Sequence, residues 1–219
     1  MRIASLIQLE MEKVFMNMFD MIRQQNLKDR MNPSDIDHIF GQEHLVGEGK
    51  LLRRSIEADR IRSMILHGPA GVGKTSIAKL VSKMTESRFV TLNAVTSGVK
   101  DIKRVVEEAK RLLELENLRT ILFIDEIHRF NKLQQDALLP YVENGIVTLI
   151  GATTENLYFE VNQALISRSL VFELFKISSD EIKNIVDRAL EEDEILGMLE
   201  IELTGKAKDF LAQKSNGKI

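Results

Sequence analysis

Cysteine is absent from the 219 residues. That excludes a disulfide framework, a thiolate metal site and a cysteine nucleophile. Tryptophan is absent too, tyrosine occurs twice and phenylalanine ten times, so no aromatic series stands out for stacking nucleic-acid bases. The four histidines, His38, His44, His67 and His128, are scattered and show no metal-ligand spacing. No apolar run approaches the roughly 18 residues of a membrane-spanning helix. Met1 to Leu9 holds one arginine and is followed by Glu10 and Glu12 with no small-residue cleavage site, so it does not read as a secretory leader. A cytoplasmic protein with no membrane partner is expected. Excess charge of one sign is also missing: 30 Lys and Arg stand against 33 Asp and Glu, a net charge of -3. This excludes a strongly basic nucleic-acid coat and leaves room for a local basic face. What is present is an ordinary globular balance, 44% hydrophobic and 29% charged, in a chain long enough for one full domain and part of another.

The chain contains no internal repeat and no low-complexity tract. In residues 1–31, Ile7, Met11, Val14, Phe15, Met18 and Ile22 recur at helical spacing and predict an amphipathic helix packed on the core or on a partner. From residue 62 the pattern becomes strand, loop, helix. Ser63–His67, Phe89–Asn93, Thr120–Ile124, Val147–Ala152 and Val171–Leu174 read as strands, and the β-branched run at 120–124 as one covered on both faces. Lys74–Met84, a segment from Asp101 and Leu133–Val142 read as helices between them. Such alternation predicts an α/β fold with a parallel five-stranded sheet and right-handed crossovers. After Ser178 the pattern turns helical. Residues 180–202 carry nine acids and two bases, read as a solvated helical face, and Thr204–Lys214 reads as one more helix. The expected divisions are 1–30, an N-terminal helical extension; 31–176, the α/β domain; and 177–219, a partial helical lid.

The most specific motif is Gly68-Pro69-Ala70-Gly71-Val72-Gly73-Lys74-Thr75, followed by Ser76. Glycines let the backbone curl so that successive N–H groups point at phosphate oxygens, and a helix starting at Lys74 adds its positive end. In this pattern the lysine meets the β- and γ-phosphates and the Thr75 hydroxyl ligates Mg²⁺. The apolar run Ile121–Ile124 then delivers Asp125 and Glu126 where ligands of parallel sheets bind. Asp125 suits Mg²⁺ through water, and Glu126 suits orienting and deprotonating an attacking water.

Further polar residues close the other strands. Thr154, with Asn156 as second choice, is placed to touch the water or the γ-phosphate. Asn93 is placed either to hold Glu126 back until a partner binds or simply to serve as a turn residue. Arg168, just before the fifth strand, is a candidate to reach a neighbour's γ-phosphate, a contribution typically worth about 10³ to 10⁵ in rate. A surface arginine or an intrachain ion pair is the alternative. Arg53, Arg54, Arg60, Arg62, Lys100, Lys103, Lys110 and Arg111 are candidate phosphate contacts for DNA.

These residues resemble the AAA+ ATPases, and within them the replication-associated recombination protein A family. The stretches that carry the closer resemblance are TSGVKDI at 96–102, DEIHRFNK at 125–132 and TLIGATTEN at 148–156, within a match over about 30–172. The resemblance implies a DNA-dependent ATPase acting at stalled or damaged replication forks, with ATP and Mg²⁺ as cofactors. It also implies homo-oligomers, contact with single-strand-binding protein, and a place at the bacterial nucleoid. By the same resemblance, Gly68–Thr75 is the Walker A loop, Asp125 and Glu126 the Walker B acids, Thr154 or Asn156 sensor 1, and Arg168 the arginine finger. Ile39, Phe40, Gly41, Gln42 and Val46 correspond to the segment that lines the adenine pocket. Leu157 and Gln163 stand where relatives commonly have proline, and both are expected to be loop positions. The sequence stops at Ile219, short of the sensor 2 arginine and oligomerisation region of the family, so a truncated chain is expected. Two other assignments compete with this one: a nucleotide-binding interaction module with little hydrolysis, and a clamp-loader or branch-migration subunit.

Overall fold

A computed structural model describes residues 26–199 and 201–218. The amphipathic helix expected in residues 1–31 therefore falls outside the described residues up to residue 25. The first described element is a single turn, α1 (Leu27–Arg30), capped by the Asn26 side chain, which accepts from the Asp29 N–H.

Five strands form one parallel sheet: β1 (Met64–His67), β2 (Arg88–Asn93), β3 (Thr120–Asp125), β4 (Thr148–Thr153) and β5 (Leu170–Glu173), in the order β2-β3-β4-β1-β5. The period of two along each strand feeds two cores. Met64, Leu66, Ile121 and Phe123 face one; Ile65, Leu122 and Ile124 face the other. Covering the first are α2 (Glu43–Val46), α3 (Leu51–Glu57) and α4 (Lys74–Met84). Covering the second are α5 (Val99–Glu116), α6 (Lys132–Glu143) and the short α7 (Leu157–Glu160) and α8 (Gln163–Ser167). This is why 120–124 carries no polar face: each of its buried Ile, Leu and Phe side chains contributes about 1.5–3 kcal/mol.

Helix α5 begins at Val99, two residues before Asp101, because the Asp101 carboxylate reaches back to accept from the Gly98 N–H. Leu157 and Gln163 are the first residues of α7 and α8 rather than loop residues, behind the caps Asn156 and Asn162. A first helical position is one where proline is tolerated, since its N–H has no helical partner.

Beyond β5 come α9 (Ser179–Glu192), α10 (Glu194–Met198) and α11 (Gly205–Ser215). Ser178 and Glu181 close a capping box at the start of α9. Ile182 of α9 and Ala212 of α11 join Ile177 in a small third core. One of the nine acids departs from the expected solvated face. Asp193, 4% exposed, ends α9, caps α10 through the Leu196 N–H and forms a two-pronged ion pair with Arg30 at 2.6 and 3.1 Å. Others on the face pair more openly, Asp187 with Lys208 of α11, and Asp180 with Lys183, which also pairs with Asp209 of α11.

Candidate nucleotide site

Residues 68–75 connect β1 to α4 at the carboxyl edge of the sheet. Gly71 and Gly73 take φ of +78° and +99°, a left-handed backbone that glycine adopts without strain. Gly73 is the N-cap of α4, so the first N–H groups of an 11-residue helix open onto the loop. Lys74 is 7% exposed, and its ammonium donates to the carbonyls of Gly68 and Pro69 at 2.7 and 2.8 Å. Burial pushes its pKa down, opposed by the charges of Glu126 and Asp125. A buried ammonium that, among the described residues, makes no ion pair is matched to an anion.

Strand β4 lies between β1 and β3, so the site spans three strand ends rather than the two that carry the motifs. Asp125 ends β3 with its side chain exposed. Glu126 is next, in the left-handed region at φ 51°, and turns into a short 3-10 segment, Ile127–Arg129. That turn aims its carboxylate at the end of β4, where Oε2 accepts from the Thr154 N–H at 3.3 Å and the Thr154 hydroxyl at 3.1 Å. His128 Nδ1 lies 3.2 Å from the same oxygen and 2.9 Å from the Thr153 hydroxyl.

Of the two candidates after β4, only Thr154 reaches these acids; the Asn156 side chain caps α7 by accepting from the Tyr158 N–H. Asn93 is not on Glu126. Its side chain accepts from the Val95 N–H and closes the turn after β2, and Thr154 with His128 holds Glu126 in its place.

A cavity of about 560 Å³ runs from the loop to α9 and α11, within the usual range for small-molecule sites. Ala70–Ser76, Asp125 and Glu126 line its polar end. Ile39 and Phe40 line it, with Ile182, Ile185 and Val186 of α9 and with Leu27 and Met31. Gly41 and Gln42 stand outside that wall. Gln42, fully buried, exchanges two hydrogen bonds with the backbone of Phe175 and fixes the segment to the exit of β5. Val46 is buried in the first core. Lys218 lines the cavity where its Cβ packs over Gly71.

Arg168 lies at the other end of the sheet. Leu170, two residues on, pairs with Met64 at the start of β1, while the loop begins after His67, about 13 Å further along at ~3.3 Å per residue. Its guanidinium pairs with Glu143 and donates to the Ala164 carbonyl and the Ser167 hydroxyl. Among the candidate DNA contacts, Arg53 is taken up by Asp37 and Glu57, and Lys110 sits 3.8 Å from Glu114.

The donor set fits a magnesium nucleotide. Thr75 and Asp125 line the same cavity with hard oxygens, and the described residues hold no cluster of three or more His, Cys, Asp or Glu suited to a metal. Mg²⁺ commonly takes one or two protein oxygens and completes its shell with phosphate and water. Sequence reasoning missed His128 and the Arg30–Asp193 pair. The proximity of His128 to Glu126 was a usable signal; nothing local marks the pair, whose members are 163 residues apart.

Residues 64–178 match the family described as ATPase family associated with various cellular activities (AAA). The chain is 44% identical over 192 residues to replication-associated recombination protein A of Haemophilus influenzae, covering 87% of this chain and 43% of that protein. Against the Escherichia coli protein of that name it is 43% identical over 194 residues, with coverage of 88% and 43%. ATPase WRNIP1 of Dictyostelium discoideum is 41% identical over 191 residues, 87% of this chain and 22% of that one. Among solved structures, the Holliday junction branch migration motor RuvB of Thermotoga maritima superposes with a TM-score of 0.69 at 27% identity, over 86% of this chain and 61% of that one. The chain thus spans less than half the length of the curated relatives it matches.

Proposed function

The chain belongs to the AAA family of ATPases, and from that membership we propose that it binds ATP with Mg²⁺ at residues 68–76 and hydrolyses it in DNA-dependent work at stalled or damaged replication forks. The observation that carries the chemistry is the convergence of the buried Lys74 ammonium, Asp125 and Glu126 on one cavity with the opening turn of α4. The loop N–H groups and Lys74 hold the phosphates, and Thr75 and Asp125 hold the metal, which when bound neutralises charge on the transferring phosphoryl group. Glu126 accepts the proton of the attacking water. Thr154, one hydroxyl away from Glu126, reports on the γ-phosphate. Ile39, Phe40 and the apolar face of α9 enclose the base.

The fork role rests on the relatives named for replication-associated recombination, at 43–44% identity. They outweigh the 27% identity to RuvB, so a branch-migration or clamp-loader role ranks lower. Partners on this reading are DNA ends or gaps, single-strand-binding protein and further copies of the chain. Arg168 serves a neighbouring copy, since its own loop lies at the far edge of the sheet. That placement also favours a second reading: an isolated copy binds ATP and holds it with little turnover, acting by docking.

Steady-state ATPase with and without forked DNA tests the proposal. Glu126→Gln keeps nucleotide binding and loses turnover; unchanged turnover removes Glu126 as the base. Arg168→Ala subunits mixed with Lys74→Ala subunits recover part of the activity; a verified mixed oligomer without recovery removes the shared site. DNA that leaves turnover unchanged favours the docking reading.

A further inference from the structure

Glu126 is held by one oxygen. The Thr154 N–H, the Thr154 hydroxyl and His128 Nδ1 all reach Oε2, and no described residue donates to Oε1. A carboxylate fixed on one side and open on the other is what a base needs if it is to meet water in a set direction. Two of the three contacts come from Thr154, at the end of β4. The third comes from a side chain only 7% exposed, carried on the 3-10 turn that Glu126 itself begins.

The donors and acceptors around His128 set its tautomer. An ionised carboxylate only accepts, so an imidazole nitrogen 3.2 Å away must carry a proton to be attracted to it. The Thr153 hydroxyl, 2.9 Å from the same nitrogen, already accepts from the Glu155 N–H at 3.1 Å and has room to accept a share of the imidazole N–H. If Thr153 instead donated to Nδ1, a nitrogen lone pair would face the Glu126 carboxylate. Repulsion between the lone pair and the carboxylate beside a buried imidazole disfavours that arrangement.

We propose that His128 is a positioning residue for Glu126: its Nδ1–H, shared between Glu126 Oε2 and the Thr153 hydroxyl, anchors the carboxylate so that Oε1 is turned to the water that attacks the γ-phosphate. The inference rests on Glu126 being the base, the role proposed for it in hydrolysis. It predicts that the proton on Nδ1, and not the bulk of the ring, is the part that matters.

Long-range proton–nitrogen NMR of the four histidines at pH 8, with His128 assigned by substitution, reads the tautomer without any turnover. Nδ1 is expected to be protonated; an unprotonated Nδ1 overturns the assignment. Kinetics supply the second arm. Asparagine places an N–H close to where Nδ1 stands and glutamine places one near Nε2, so the two separate a donor effect from packing. In His128→Ala and His128→Gln, turnover is expected to fall about tenfold to a hundredfold, in line with other residues that orient a reacting group. The affinity for a fluorescent ATP analogue and KM stay within about twofold, and His128→Asn recovers most of the rate. Unchanged turnover in His128→Ala, or an asparagine variant no better than alanine, overturns it. A chain that fails to bind the analogue at all defeats the proposed function itself and takes this role with it. A chain that binds but does not turn over leaves the tautomer measurement to decide.

Discussion

Replacing Gly68 by alanine tests how the phosphate loop is anchored. Gly68 has φ +153°, and a Cβ there would fall inside contact distance of the Leu174 carbonyl oxygen and 3.1 Å from its carbon. The obstacle is backbone, so no rotamer change relieves it. Both sides are also pinned: the Leu174 N–H bonds the His67 carbonyl at 2.7 Å, and the Gly68 N–H bonds the Thr153 carbonyl at 3.2 Å. Positive-φ strain costs about 1–3 kcal/mol. Easing the clash gives up one or both bonds at about 1 kcal/mol each. Together these put Gly68→Ala near about 2–5 kcal/mol, reaching the upper end for point substitutions. Two other glycines separate the contributions. Gly49 has φ +73° with nothing within 4 Å, so Gly49→Ala bears strain alone, about 1–2 kcal/mol. Gly205, the first residue of α11, is open and without positive φ, and Gly205→Ala stabilises by about 0.4–1 kcal/mol. Urea unfolding at constant m-value reads all three. If Gly68→Ala costs no more than Gly49→Ala, the carbonyl of Leu174 is not the constraint and the reasoning fails. An ATP analogue should bind Gly68→Ala at least tenfold more weakly, because the loop moves with it.

The Arg30 hydrogen bonds hold the Asp193 carboxyl below its ordinary value of 3.8, so its contribution is present above that pH and is lost as pH falls through the lowered value. Asp193→Asn should therefore be less stable than the parent at pH 7 and converge with it below pH 4 in urea midpoints; a constant gap refutes the linkage. Burial already disfavours the Lys74 ammonium, so Lys74→Met should unfold at an equal or higher urea concentration while losing at least tenfold in ATP-analogue affinity by fluorescence titration. Gln163 begins α8, so Gln163→Pro should be neutral or stabilising by up to about 1 kcal/mol in thermal unfolding, whereas a position inside a helix would lose stability.

Strand existence and order along the chain were legible because most strands carry a short apolar run with polar or turn residues at its ends, and β2 shows one around Phe89 and Val90. Element ends were less so. Aspartate is a common cap, yet Asp101 serves from inside α5, and only the Gly98 contact reveals it. Leu157 and Gln163 looked like loop residues because α7 and α8 are too short to show a helical period. The acidic run at 180–202 hid one buried member, since composition cannot tell which carboxylate finds an arginine.

Local chemistry sets the phosphate loop, the acids after β3 and the parallel sheet, because backbone curl, helix ends and strand period all arise within a few residues. The residues themselves therefore name a nucleotide site. Which groups meet across that site was decided by the sheet order, which inserts β4 between β1 and β3 and brings Thr154, rather than Asn93, onto Glu126. The same long-range packing sends Arg168 to the opposite edge, ties Gln42 to Phe175 and closes Arg30 on Asp193. Such contacts depend on which distant surfaces are pressed together when the two cores are buried, and a sequence window carries the side chains but not their neighbours.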